Sequence, residues 1–273
     1  SNTQITGLLD LDICTGSSLI TSPQVTEGFP PYLYTWSSDS PAIAGISDVN
    51  ILNTFIRPNT PGPVDIVYTL SVIDSRGCGP VSSSFTLTVN ALPELSVTTD
   101  TLTCEGELLT LSASPTVSNQ GTLPFAYSWT PSGATTDSIE IMPDTAGTTM
   151  YSVTAVSADG CAGETSTIMV TALENPIPPI SFANNQLSTD TTAASFQWFL
   201  SDVNNPTFTP LMAQTLPTLN TNVLPNAFDG EIMVEVTYTN GCTRRSDPFS
   251  LTLTNIDQFP AQWDIFPNPA RGE

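Results

Sequence analysis

Histidine and lysine are both absent from this 273-residue chain, and only five arginines carry positive charge. Without histidine there is no Ser-His-Asp triad, no Cys-His pair and no imidazole ligand for a metal. Without lysine there is no Schiff base and no phosphate-cradling P-loop. Against the five cations stand 26 acids, for a net charge of −21. That balance excludes nucleic acid, whose phosphates require cations, and disfavours anionic membrane surfaces. No apolar run is long enough to span a bilayer, so no membrane insertion is expected. No signal peptide opens the chain, which reads as a start after processing or partway through a larger protein. What chemistry remains is that of carboxylates, as in glycosidases or calcium sites.

What is abundant is serine and threonine, 70 residues together, with 24 prolines and 16 glycines. This is poor material for helices and good material for strands and turns. Three segments repeat one plan. "PPYLYTWSS" holds Tyr34 and Trp36, "PFAYSWT" holds Tyr127 and Trp129, and "SFQWFL" holds Phe196 and Trp198. Each is followed by a Gly-Cys pair ending at Cys78, Cys161 or Cys242. A cysteine also precedes the tryptophan in the first two copies, at Cys14 and Cys104, but not in the third. A period of 80–90 residues is too long for a solenoid, so each copy is a domain with its own core.

Inside each copy the pattern has period two. Tyr68, Leu70 and Val72 share a face, as do Phe85, Leu87 and Val89, with serine and threonine between them. Such alternation marks half-buried strands. "DSRGCG", "SADGCAG" and "TNGC" lie between pairs of them, as hairpin turns do. The fold class expected is all-β: tandem antiparallel β-sandwich domains at residues 1–91, 92–173 and 174–256. A tryptophan two residues after an aromatic faces the same way and fills the space between sheets. Its alternative use is a platform for stacking sugars, and burial separates the two. The linkers "NALPEL" and "ENPIPPI" bear prolines, which favour extended spacers holding neighbours apart.

Five cysteines without metal-ligand partners read as disulfides of an exported protein. The expected pairs are Cys14–Cys78 and Cys104–Cys161, one within each of the first two sandwiches. Each would close a loop of about 60 residues, for roughly 4 kcal/mol on the chain-entropy model. Cys242 is then left over, as a buried or turn-capping free thiol or as half of an intermolecular disulfide.

Together these residues resemble the PKD-like and Ig-like modules of large secreted proteins of gliding bacteria. The resemblance covers residues 1–256. The chain end, "WDIFPNPARGE", resembles the opening of a type IX secretion C-terminal sorting domain, with Pro267, Asn268 and Pro269 as its motif; residues 257–273 are read as a linker and the start of that domain. The resemblance implies export to the cell surface or medium and a non-catalytic structural or adhesive role. A C-terminal stalk of a secreted hydrolase and a subunit of an extracellular filament are the alternatives. Implied partners are other surface or filament proteins, copies of this chain, and glycans. It also implies O-glycosylation at Asp-Ser/Thr sites, here Thr101, Ser138, Thr145 and Thr191; turn capping is the competing use of such pairs. No cofactor is expected. Asp10 with Asp12, and Glu105 with Glu107, are the nearest approach to a structural calcium site, and neither pair resembles an EF-hand loop.

Overall fold

A computed structural model describes residues 3–116, 121–189, 192–225 and 227–253. Among them every regular element is a strand, apart from one 3₁₀ turn. The strands sort into three groups along the chain, each around its own apolar cluster.

The first group runs from β1 (Gln4–Thr6) and β2 (Leu11–Cys14) through β3 (Leu19–Ile20), β4 (Gln24–Thr26), β5 (Leu33–Ser38) and β6 (Phe55–Ile56) to β7 (Val64–Ile73) and β8 (Val81–Asn90). Its main sheet has the order β2-β8-β7-β5, and the pairs β1-β4 and β3-β6 form two small sheets. Alternation along the long strands buries Ile66, Tyr68, Leu70 and Val72 of β7, and Phe85, Leu87 and Val89 of β8. Trp36 packs edge-on against Phe85, which stacks on Tyr68. The Tyr68 hydroxyl donates to the Ala44 carbonyl at 2.6 Å, and burial, with the charge of Asp39, pushes its pKa up to about 12.

In the second group β9 (Leu95–Val97), β10 (Thr101–Cys104), β11 (Leu109–Pro115), β12 (Ala126–Thr130), β13 (Ser138–Ile141), β14 (Gly147–Val156) and β15 (Ser166–Leu173) form sheets ordered β10-β15-β14-β12 and β13-β11-β9. The third comprises β16 (Ser181–Ala183), β17 (Gln186–Ser188), β18 (Ser195–Asp202), β19 (Asn205–Pro210), β20 (Thr218–Asn220), β21 (Asp229–Thr237), β22 (Thr243–Arg245) and β23 (Phe249–Thr252). Its sheets run β16-β17-β20 and β19-β18-β21-β22, with β23 also on β21. The expected all-β architecture is therefore what the chain adopts among the described residues, with strands in sheets around three separate apolar clusters.

The repeated tryptophan occupies one position in all three. Trp36 lies opposite Leu70, Trp129 opposite Val153 and Trp198 opposite Val234. All are at most 2% exposed. Each indole N–H donates to a loop carbonyl, of Ile51, Thr136 and Leu216 respectively, at 2.8–3.0 Å. Burial of apolar surface with a satisfied N–H is the core role; no indole face is left for a sugar.

By its contacts the chain divides into two compact units. One holds residues 1–103, 108–142 and 148–171; the other holds 104–107, 143–147 and 172–273. The short stretches at 104–107 and 143–147 thus belong with the third group of strands, not with the strands that flank them in sequence. The reason lies in the cysteines.

Candidate functional site

The three Gly-Cys turns have one backbone. In each, the N–H of the residue four before the cysteine donates to the cysteine carbonyl: Asp74 to Cys78 (3.3 Å), Ser157 to Cys161 (2.9 Å), Tyr238 to Cys242 (2.8 Å). The glycine before the cysteine donates back to that first residue's carbonyl at 2.9–3.0 Å. It holds φ of +77° to +90°, a region open to glycine at little cost. The cysteine N–H is met by a side chain in every case: Asp74 Oδ1 at 2.9 Å, Ser157 Oγ at 3.3 Å, Asn240 Oδ1 at 3.0 Å. Each cysteine backbone is thereby held by the turn at both its N–H and its carbonyl.

The two early cysteines also share a setting. Cys14 ends β2, and Cys104 ends β10. Thr15 N–H donates to Asn90 O, and Glu105 N–H to Leu173 O, each at 2.9 Å. Gly16 and Gly106 follow with φ near +80°. Both cysteines therefore sit beside the last residue of the sandwich's final strand.

The bonds are Cys14–Cys161 and Cys104–Cys242, with Cα–Cα distances of 5.5 and 5.7 Å; Cys78 is free and exposed. The pairs expected within sandwiches, Cys14–Cys78 and Cys104–Cys161, are not formed, and Cys242 is not a leftover thiol. The physical reason is strand direction. β2 runs parallel to β8, in register Leu11↔Leu87 to Cys14↔Asn90. Cys14 thus lies at the far end of β8, whereas Cys78 lies in the turn before its near end. A ten-residue strand at ~3.3 Å per residue separates them by roughly 30 Å. A disulfide tolerates only about 4.4–6.8 Å between Cα atoms. In the second sandwich β15 separates Cys104 from Cys161 in the same way.

Each bond instead joins the end of one sandwich to the Gly-Cys turn of the next, across the linker. The linkers are accordingly held in part against the sandwiches, not free spacers. Ala91 and Pro93 are buried. A Cβ on Gly163 would meet Pro93 O at 2.2 Å, so only glycine admits the linker there. In the other unit Asn175 and Pro178 are buried. Tyr238 Oη donates to Pro176 O at 2.8 Å and Asn240 Nδ2 to Glu174 O at 2.7 Å. Glu105 O accepts from Asn175 Nδ2 at 3.2 Å and from Arg244 Nη1 at 3.1 Å. These bonds are what group residues 104–107 with the third set of strands.

The remaining candidate residues do not converge. Asp10 Oδ1 accepts from the N–H of Thr86 at 2.6 Å, and Asp100 Oδ1 from that of Met169 at 2.8 Å. These carboxylates satisfy strand N–H groups. Among the described residues no three His, Cys, Asp or Glu side chains gather as metal ligands. Of the glycosylation candidates, Thr101 is half-buried on β10, Ser138 is half-buried with its hydroxyl on Asp137, and Thr145 is exposed. Thr191, like Pro267, Asn268 and Pro269, lies outside the described residues.

No family model matches the chain, and no curated protein matches it. Among solved structures it is similar to an I-band fragment of titin, at 15% identity over 90% of this chain and 96% of that one, with a TM-score of 0.44. It is similar to fibronectin(III)-like modules of Clostridium thermocellum CbhA, at 16% identity over 63% and 94%, with a TM-score of 0.32. The D00–D0 domain of intimin is similar at 15% identity over 63% and 99%, with a TM-score of 0.34.

Proposed function

We propose that this chain is a non-catalytic, load-bearing array of an extracellular modular protein, with a structural or adhesive role at a bacterial surface. One observation carries the reading: both disulfides run from one sandwich to the next. A disulfide within a sandwich protects a core. One that spans a linker protects the spacing of successive modules, and that matters only where the array itself is the working part. Disulfides of this kind also fit an oxidising compartment. The net charge of −21 fits a solvated surface whose exposed strand edges repel their like. The PKD-like subtype, type IX secretion through Pro267-Asn268-Pro269, and glycans on Thr101, Ser138, Thr145 and Thr191 belong to this proposal. So do its partners: neighbouring surface or filament proteins, including copies of the chain, and glycans.

Pulling the chain by its ends tests the reading. With both bonds intact the shortest covalent path from residue 1 to 273 crosses both disulfides and spans roughly 100 residues. Fully extended at ~3.5 Å per residue, that is about 350 Å, against roughly 950 Å for the reduced chain. Single-molecule force spectroscopy should therefore show contour length rising nearly threefold on reduction. Equal contour lengths with and without reductant would remove the basis of the proposal.

A further inference from the structure

Cys78 is the one cysteine without a partner, and its surroundings match those of two cysteines that have one. Its turn has the same two backbone hydrogen bonds and the same left-handed glycine as the turns of Cys161 and Cys242, and like them it supplies a side-chain acceptor to the cysteine N–H. Those two sulfurs are bonded, and their residues are at most 1% exposed. In both cases the bond goes to a cysteine that ends a strand of the preceding sandwich, just before a turn with glycine two residues on.

The pairing is offset by one module. The first sandwich supplies Cys14 to the second, and the second supplies Cys104 to the third. The third has no cysteine between residue 174 and its Gly-Cys turn, so it supplies nothing. The series is closed at one end by a sandwich with no early cysteine and open at the other at Cys78.

From this offset we infer that Cys78 is a third bridging position, taken by a cysteine at the Cys14/Cys104 position of a further module of the same kind, lying outside residues 1–273. A second copy of this segment does not provide that cysteine, because its own Cys14 and Cys104 are already bonded. The turn is tied to its own sandwich through Phe29. Asp74 also takes the N–H of Phe29 through Oδ2 at 3.3 Å, and the Arg76 guanidinium lies 3.3 Å from the Phe29 ring centroid. Ser75 N–H donates to Phe29 O, the counterpart of the Ala158-to-Thr122 bond in the second sandwich. The end of the sandwich that carries Cys78 is thus ordered in the same manner as the one that carries Cys161.

Bond formation requires a disulfide oxidant, an oxidoreductase or a small-molecule disulfide. The Cys78 thiolate attacks one sulfur of that disulfide, whose S–S bond breaks and whose other sulfur leaves as thiolate. The partner cysteine, as thiolate, then displaces the oxidant from Cys78. The two protein thiols lose two protons and two electrons, and the oxidant ends as the oxidoreductase dithiol or as two small-molecule thiols.

The experiment is disulfide mapping of the full-length native protein, alkylated before any reduction. The expected result is a Cys78 peptide linked to a cysteine outside residues 1–273, with essentially no alkylated Cys78. The isolated segment should instead give one alkylated thiol per chain, at Cys78. Non-reducing electrophoresis separates the sources: unchanged chain mass places the partner module on the same polypeptide, and a higher mass on another. Either source satisfies the inference. An alkylated Cys78 in the native protein, a Cys78–Cys78 dimer, or a small thiol capping Cys78 would overturn it. The inference rests on the Cys14–Cys161 and Cys104–Cys242 pairing, and the same digest reads those two bonds independently. Cys78→Ser should abolish only the third linkage and leave the other two.

Discussion

The turn at Asp74–Cys78 and the turn at Ser157–Cys161 have the same backbone and opposite outcomes. One cysteine is exposed and free, the other 1% exposed and bonded. The backbone hydrogen bonds shared by the two loops do not account for this. What differs is the neighbour: the second turn abuts the end of another sandwich, and among the described residues the first does not. A cysteine's fate here is set at the junction between modules, and the turn only aims it.

Removing the bond is the strongest way to break this comparison. Cys14→Ser with Cys161→Ser opens a loop with a sequence separation of 147 residues, worth on the order of 5 kcal/mol in the chain-entropy model. Thermal or urea unfolding of the double variant should show a loss approaching that size, whereas Cys78→Ser should stay within about 0.5 kcal/mol. Similar losses in both would mean that the free turn is not free. A core substitution sharpens the contrast between junction and sandwich. Trp129→Ala should cost about 3–5 kcal/mol through transfer and cavity terms. Its effect on hydrogen exchange should appear in β12 and β14, and the Cys14–Cys161 bond should still form.

The smallest effect separates the turns by pH. Hydrogen bonds from the Cys78, Arg76 and Phe29 N–H groups, the Cys78 bond foremost, hold the Asp74 carboxyl below its ordinary value; Arg76 charge adds to this and partial burial opposes it. A depressed pKa in the folded state means stabilisation that is present above the ordinary carboxylate value, near 4, and is lost as pH falls through the depressed one. The second turn uses the Ser157 hydroxyl, which does not titrate. Amide exchange at Arg76 and Cys78 should therefore accelerate below about pH 4, relative to intrinsic rates, while Cys161 keeps its protection. Parallel loss at both turns would point to general acid unfolding.

Much of the fold was legible in the sequence because its signal is local. Alternation of Tyr68, Leu70 and Val72 with polar residues is enforced by the two-residue period of a strand, whatever surrounds it. The repeated tryptophan was legible for the same reason: a large ring opposite an aliphatic residue of the next strand has one place to go. The cysteine pairing was not legible in this way. Five cysteines with one odd member are equally consistent with pairs inside modules and with pairs offset by one. The signal that separates the two is the third Gly-Cys at Cys242, which the offset scheme uses and the other leaves idle.

What the sequence determined by itself was the number of repeats, the strands, the buried faces and the classes of chemistry excluded by the absence of histidine and lysine. What only the tertiary structure decided was which cysteines meet. That depends on β2 running parallel to β8, which carries Cys14 some 30 Å from Cys78, and on linkers short enough to bring the next turn to it. Strand direction is a property of pairing between distant segments. Period-two alternation reads the same in a parallel strand as in an antiparallel one.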